Sequence, residues 1–285
     1  MSKKKMARVI GVCIIAIIVI IAVVMLRPTP PLSTLVTHGC TDRATSSLKV
    51  QGEVEDIGAG ILSRRGFVYK KGTEGDPELD SIPLVNPSFE YVYALDGWTC
   101  RNSTNVSRVS DVVKVGSYAL KYEYLEVGSH PYVRTQTLFS RTEWAGKTVT
   151  VGAWVKSTDA SVRLGFYEWG GEWWLSAPTQ YPGDGEWHWI THTATIPTDL
   201  TTDWAMVVLI YDTTASCEFW VDGVMLVEGS ELLAVFDDGG FSEGSYSLAI
   251  DNLEPDTWYR IRAFGENEAG TGYGNTVSCK TLEEV

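Results

Sequence analysis

The chain has 285 residues, which is enough for a sizeable hydrophobic core and for more than one domain. Its formal net charge is −13, and this acidic balance argues against nucleic acid or an anionic membrane surface as the main partner. It also contains 11 tryptophans, and large aromatic rings either fill cores or offer flat surfaces to ligands.

An apolar segment without charges runs from Val9 to Leu26, directly after Lys3–Lys5 and Arg8. As a helix it would be about 27 Å long, close to the apolar thickness of a bilayer. The basic cluster predicts a cytoplasmic N-terminus and an extracellular or cell-surface body. A cleaved signal peptide is the alternative, but no small-x-small cleavage site follows the segment. We therefore expect residues 1–27 to form a cytoplasmic tail and an uncleaved transmembrane anchor.

Short strands with alternating apolar residues are predicted near both ends of the remaining chain. In the first group, within residues 33–71, Leu48, Val50 and Val54 lie on or near one face of a strand. The second group lies within residues 244–282. Because three strands alone leave open edges and half a core, we expect the two groups to complete one sandwich.

The motifs of these two groups resemble those of bacterial and phage fibronectin type III-like modules. The motifs are Arg65-Gly66-Phe67-Val68-Tyr69, then Leu253-x-Pro255-x-Thr257-x-Tyr259-x-Ile261-Arg262-Ala263, then Asn267-x-x-Gly270-x-Gly272-Tyr273-Gly274. The resemblance implies a discontinuous β-sandwich built from residues 33–80 and 232–282. It also implies that Tyr259 is a tyrosine corner.

Residues 82–230 would then be a second domain inserted into a loop of the first. Their motifs, in order, are Val85-Asn86-Pro87-Ser88-Phe89-Glu90, Gly97-Trp98, Gly116-Ser117-Tyr118-Ala119-Leu120-Lys121, 146–156 and 219–226. Together they resemble carbohydrate-binding modules of the family 4/9/22 type. The resemblance implies a jelly-roll β-sandwich with a concave face for polysaccharide, and such modules commonly hold a structural calcium ion. We therefore expect an all-β body: a jelly roll inserted into a discontinuous fibronectin type III-like sandwich, preceded by one N-terminal transmembrane helix.

Four cysteines lie outside the apolar segment: Cys40, Cys100, Cys217 and Cys279. An even number allows two disulfides in any of three pairings, and buried free thiols are the alternative. The first and last strands of fibronectin type III-like modules lie near each other, so the resemblance favours Cys40 with Cys279. The inserted domain would then hold the pair Cys100 and Cys217.

A ligand-binding face is predicted from the alternation within the inserted domain. In residues 148–156 the small apolar residues at odd positions face the core, so Trp154 faces the other way. Aromatic rings stack on the C–H face of a sugar, and long polar side chains bind its hydroxyls. The candidate ligand-binding residues are Tyr132, Arg134, Gln136, Trp154, Arg163, Tyr167 and Trp169, with Trp173 and Trp174 as a wall. The alternative is that this face packs against the other sandwich or another subunit.

A structural Ca²⁺ is the cofactor that we expect. Glu90 and Asp222 lie on the presumed first and last strands of the jelly roll, which are neighbours in that fold. With backbone carbonyls from residues 114–117, two carboxylates suit an ion that takes six to eight oxygen ligands. The alternative is a pair of solvated carboxylates at strand ends.

The sequence contains no nucleophile-elbow, zinc-protease or phosphate-loop motif. We therefore predict a membrane-anchored, extracellular, non-catalytic protein that binds polysaccharide or another glycan. The alternative is a structural or adhesive surface or appendage protein whose sandwiches bind protein partners and self-associate. An enzymatic role would require a glycosidase-like carboxylate pair, and the sequence singles out none.

Overall fold

A computed structural model of the chain describes residues 30–79, 82, 84–91, 93, 95–100, 106–124, 132–168, 173–210, 217–230, 233–237, 242–267 and 269–284. The predicted transmembrane segment, residues 9–26, lies outside these ranges. Within them, no helix is long and apolar enough to cross a membrane.

The body of the protein is nearly all β, as the sequence predicts. Residues Leu32–Val285 form one compact unit, whose described strands form four antiparallel sheets around two separate hydrophobic cores. The one described helix, α1, is the single turn Arg141–Trp144, and Ser140 caps it by accepting a hydrogen bond from the backbone N–H of Glu143.

Strands from the two ends of the described chain share one core, and we call this part the terminal sandwich. Its strands are β1 (Thr34–Arg43), β2 (Leu48–Asp56), β3 (Arg64–Lys71), β15 (Ala234–Phe236), β16 (Gly244–Ile250), β17 (Trp258–Asn267) and β18 (Gly270–Lys280). A sheet with the order β1-β2-β16 faces a sheet with the order β15-β3-β17-β18. The predicted joining of the two strand groups is therefore present, while the name fibronectin type III-like stays a resemblance.

Two local features of the terminal sandwich agree with the sequence predictions. The hydroxyl of Tyr259 accepts a hydrogen bond from the backbone N–H of Glu254 at 2.9 Å, which is the contact of a tyrosine corner. Cys40 of β1 and Cys279 of β18 form a disulfide, with their Cα atoms 6.2 Å apart.

The intervening strands form a second core, and we call this part the central sandwich. Its strands are β4 (Trp98–Cys100), β5 (Val106–Val109), β6 (Ala119–Tyr124), β7 (Tyr132–Thr135), β8 (Thr148–Ser157), β9 (Val162–Glu168), β10 (Trp173–Trp174), β11 (Thr179–Gln180), β12 (His188–Thr195), β13 (Trp204–Ile210) and β14 (Cys217–Glu228). The six-stranded sheet has the order β10-β9-β13-β7-β4, with β11 also paired to β9. The five-stranded sheet has the order β12-β8-β14-β6-β5.

Two predictions about the central sandwich are wrong. Cys100 carries a free thiol, so the structure contradicts a Cys100–Cys217 disulfide; the side chain of Cys217 lies outside the described residues. Glu90 does not lie on a strand, because residues 86–90 form turns in which Asn86 and Phe89 have φ values of 51° and 58°. This segment nevertheless runs beside β14, since the N–H of Val224 donates to the carbonyl of Pro87 at 2.9 Å.

The two sandwiches contact each other through polar and aromatic groups. Arg64 of β3 forms a buried ion pair with Glu266 and also donates from Nη1 to the carbonyl of Val224 in β14 at 3.3 Å. The hydroxyl of Ser88 donates to the carbonyl of Ser63 at 3.2 Å. These contacts attach the five-stranded sheet, rather than the six-stranded sheet, to the terminal sandwich.

Candidate ligand-binding face

The outward residues of the six-stranded sheet are brought together by its register. In β9, Val162, Leu164 and Phe166 are buried in the core, so the alternate residues Arg163, Gly165 and Tyr167 point outward. The register then fixes which outward residues lie side by side. Tyr132 and Arg163 both pair with Leu209, Arg134 and Gly165 both pair with Val207, and Tyr167 pairs with Ala205.

Aromatic rings surround a small apolar floor on this face. Ala205 is fully buried although it points outward, because Tyr132, Leu138, Tyr167 and Trp174 pack against it. These four side chains are themselves only half-buried. Part of each of these side chains is therefore open to solvent in the described structure.

Trp174 lies over the face because the strand beneath it carries a glycine. The ring of Trp174 meets Tyr167 edge-on, with centroids 5.6 Å apart and an interplanar angle of 89°. A Cβ at Gly165 would lie 3.0 Å from the Trp174 ring and 3.0 Å from Pro178. Gly165 thus gives the indole room to approach the sheet.

The two arginines of the face differ in their surroundings. Arg134 is 9 % exposed, and its Nη1 donates to the backbone carbonyls of Thr135 at 2.6 Å and Gln136 at 3.3 Å. Arg163 is half-buried and forms no hydrogen bond or ion pair with any described residue, although its Nη1 is buried. Gln136 is exposed. The face therefore presents unused donors beside half-exposed rings.

Trp154 does not belong to this face, which corrects the sequence prediction. It lies on β8 of the five-stranded sheet and points to the other side of the sandwich. Its ring is 5.6 Å from Trp189, which is 5.7 Å from Phe236 of the terminal sandwich. Phe236 in turn lies 5.5 Å from Phe264. Trp189 therefore packs against the other sandwich, and Trp154 packs against Trp189.

The remaining predicted residues are only partly described. The backbone of Trp173 pairs with Glu168 in the ladder of β10 and β9, and its side chain lies outside the described residues, as does all of Trp169. The sequence analysis missed Leu138, Ala205 and Gly165. A glycine inside an alternating strand signals a close approach by another group, so Gly165 was open to prediction.

Glu90 and Asp222 do lie close to one loop, as the calcium prediction requires. Asp222 is fully buried, and its carboxylate accepts from the N–H groups of Lys114 at 3.0 Å, Val115 at 2.8 Å and Gly223 at 2.7 Å. Glu90 accepts from the N–H groups of Ser117 at 2.9 Å and Tyr118 at 3.0 Å. The loop thus offers N–H groups to both carboxylates, where the sequence analysis expected it to offer carbonyls to an ion.

The protonation of these two carboxyls reflects their shared position. Burial raises the pKa of Asp222 well above its usual range, and the nearby charge of Glu90 raises it further. The hydrogen bonds from three backbone N–H groups act in the opposite direction and lower it. Burial also raises the pKa of Glu90, although the hydrogen bonds from the N–H groups of Ser117 and Tyr118 lower it. A buried acid with a half-buried acid near it suits a cation, although the described residues contain no cluster of three or more metal-binding side chains.

Comparisons with known proteins give structural likenesses only. No family model and no curated protein matches the chain. A family 16 carbohydrate-binding module is similar with a TM-score of 0.38 and 19% identity, over 51% of this chain and 99% of that one. The C-terminal family 22 carbohydrate-binding module of a Clostridium thermocellum protein is similar with a TM-score of 0.38 and 16% identity, over 51% of this chain and 92% of that one. A xylan-binding domain from family 22 is similar with a TM-score of 0.37 and 17% identity, over 52% of this chain and 99% of that one. These TM-scores are too low for the likenesses to assign a function to this chain.

Proposed function

We propose that the chain binds polysaccharide through the outward face of the six-stranded sheet. This binding face consists of Tyr132, Arg134, Gln136, Arg163, Tyr167, Trp174 and Ala205. The observation that carries the proposal is the set of half-exposed rings around Ala205, with guanidinium and amide groups beside them.

Each part of the face matches one part of a sugar. Apolar C–H faces of pyranose rings stack on flat aromatic side chains, and Tyr132, Tyr167 and Trp174 supply such surfaces. The hydroxyls of a sugar need hydrogen-bond partners, and Gln136 and Arg163 have donors to offer. Because the rings are already held by packing on Ala205, little side-chain order has to be gained on binding.

The proposed role is binding without catalysis. The rings and donors form a surface over a sheet, and none of the residues of the binding face is a carboxylate that would act as general acid or nucleophile. The apolar segment from Val9 to Leu26 supports anchoring in a membrane with the sandwiches outside the cell.

We also propose that a structural Ca²⁺ binds at Glu90 and Asp222. Its support is that buried Asp222 and half-buried Glu90 both contact the loop 114–118, and that the pKa of each is raised. The ion would neutralise two acids that otherwise bear an unfavourable desolvation. Full-length protein in calcium should unfold at a higher temperature than in chelator, and the Asp222→Asn variant should lose that difference. An equal shift in the variant would contradict this site.

The binding test uses the full-length chain in mild detergent, which accommodates the predicted anchor. Binding is measured by calorimetry against a panel of neutral and acidic polysaccharides. We expect the Trp174→Ala and Tyr167→Ala variants to bind at least about tenfold more weakly, which is about 1.4 kcal/mol. Trp258→Ala is the matched control, since Trp258 is 43 % exposed on the terminal sandwich.

The outcomes of this test separate the proposal from its alternatives. Loss of binding in Trp174→Ala, with the variant still folded at the assay temperature and the Trp258→Ala control unaffected, would support the proposed face. Equal losses in all three variants would place the binding elsewhere. A folded protein that binds no polysaccharide of the panel would overturn the proposal and favour protein partners.

A further inference from the structure

The charge of the binding face is opposite to that of the whole chain. The chain has 36 acidic and 23 basic residues. The binding face contains two cations, Arg134 and Arg163, and no carboxylate. The nearest acid along β9 is Glu168, and its carboxylate is turned to Thr201 and Thr202, from which it accepts hydrogen bonds at 2.6 to 3.4 Å. A positive face on an acidic protein favours an anionic ligand.

Arg163 is the cation that a ligand would reach. Arg134 already donates to two backbone carbonyls and is 9 % exposed, whereas Arg163 is half-buried without a hydrogen-bond partner among the described residues. Only Nη1 of Arg163 is buried without an acceptor, so the other N–H groups of this half-buried side chain are the donors that a ligand can reach. A sugar hydroxyl would occupy one donor, but a carboxylate would accept two parallel hydrogen bonds and balance the charge.

The spacing of the face allows one sugar chain to use the rings and the guanidinium together. Arg163 and Tyr167 are four residues apart on β9, which is about 13 Å along the strand at about 3.3 Å per residue. Arg163 and Tyr132 flank Leu209 on either side, which separates them by about 10 Å, twice the strand spacing. Arg163 therefore stands at one corner of the face, next to the surface on which sugars would stack.

We infer that the binding face selects polysaccharides whose sugars carry a carboxylate, with Arg163 as the residue that binds that group. This inference rests on the proposed function. It goes further by naming hexuronate-containing polymers as the ligand class. The carboxylate would form a bidentate contact with the guanidinium while neighbouring rings of the polymer stack on the aromatic side chains.

The test uses the full-length chain in detergent and pairs of polymers that differ only in charge. Polygalacturonate, alginate and hyaluronate are each compared with their carboxyl-reduced, neutral forms, and dextran sulfate is compared with dextran. The variants are Arg163→Gln, Arg163→Lys and, as a control for net charge, Lys49→Gln, since Lys49 is exposed on β2 of the terminal sandwich.

We expect at least one uronate polymer to bind about tenfold or more tightly than its reduced form, because charge-assisted bonds to a carboxylate are about twice as strong as neutral ones. Arg163→Gln should remove this preference, Arg163→Lys should retain only part of it, and Lys49→Gln should retain all of it. Trp174→Ala should weaken binding to both members of a pair.

Each other outcome overturns the inference in a recognisable way. Equal, Trp174-dependent binding to charged and reduced polymers would leave the proposed function standing and remove the carboxylate preference. Equal binding to dextran sulfate and to uronates would indicate a general response to negative charge. A preference that survives Arg163→Gln would assign the carboxylate to another residue. Failure to bind any polymer would remove the proposed function together with the inference.

Discussion

The two outward faces of the central sandwich use similar side chains and have different surroundings. On the six-stranded sheet, Tyr167 and Trp174 lie edge-to-face and half-exposed. On the five-stranded sheet, Trp154 and Trp189 pack together, and Trp189 continues to Phe236 of the terminal sandwich. Aromatic residues that point outward are therefore not by themselves a sign of a ligand site. All four rings are half-buried, and what distinguishes the two faces is their neighbours: Trp189 contacts the terminal sandwich, whereas the described ring contacts of Tyr167 and Trp174 lie within the central sandwich.

The largest effect is expected from removing a ring on the outward face of the five-stranded sheet, which contacts the terminal sandwich. Trp189→Ala takes away the side chain that joins Trp154 to Phe236, and we expect the free energy of unfolding to fall by about 2 kcal/mol, less than the 3–5 kcal/mol for a fully buried Trp. Denaturant unfolding measures this change. Polysaccharide binding at native conditions should stay unchanged, and a variant that keeps its stability but loses binding would invert the assignment of the two faces.

The converse substitution sharpens the same contrast. Trp174→Ala removes a half-exposed ring that packs on Ala205 and Tyr167, so it should weaken binding about tenfold, or about 1.4 kcal/mol, while the free energy of unfolding falls by only about 1 kcal/mol. Calorimetric titration and denaturant unfolding on the same preparation give both numbers. Losses of stability of similar size in Trp174→Ala and Trp189→Ala would show that both faces are structural.

A smaller effect is expected from the glycine beneath the indole. In Gly165→Ala the new Cβ would lie 3.0 Å from Trp174 and from Pro178, so the ring must move away from the sheet. We expect a loss of binding of severalfold with the indole still present, and a shift in tryptophan fluorescence reports the movement. Unchanged binding in Gly165→Ala would argue against a fixed indole position.

The smallest effect concerns pH and the edge of the central sandwich. Burial lowers the pKa of His192, whose Nε2 lies 2.8 Å from the hydroxyl of Ser176. The unfolded chain therefore binds the proton more readily, so stability contributed by neutral His192 is present above the ordinary histidine pKa of about 6.5 and is lost as pH falls below it. His192→Gln should show a shallower loss of stability than the native chain between pH 7 and 5. If urea unfolding showed the same change of stability with pH for His192→Gln and for the native chain, this would contradict a buried neutral imidazole.

The sequence predicted those features that depend on local alternation or on a short motif. The outward direction of Trp154 and of Arg163 follows from the apolar residues on either side of each, and both directions are correct. The Tyr259 contact and the Cys40–Cys279 disulfide were also correctly predicted, because a resemblance placed them in a known arrangement.

Features that depend on how distant strands pair were not accessible in the same way. Trp154 and Arg163 both point outward, but they lie on different sheets, and only the register shows this. Glu90 was assigned to a strand, whereas Asn86 and Phe89 adopt positive φ values that end extended structure. The role of the loop 114–118 as a donor of N–H groups, rather than carbonyls, depends on the buried carboxylate of Asp222 that it meets.

The Cys40–Cys279 disulfide has a mechanical consequence. It joins positions 239 residues apart, and the whole central sandwich lies in the loop that it closes. A pulling force applied between residues 30 and 284 would pass from Cys40 directly to Cys279. The intervening strands would carry no tension while the bond is intact. The proposed binding face lies inside this covalent loop, so it would be shielded from loads that travel along the backbone, and reduction of one bond would expose it to them.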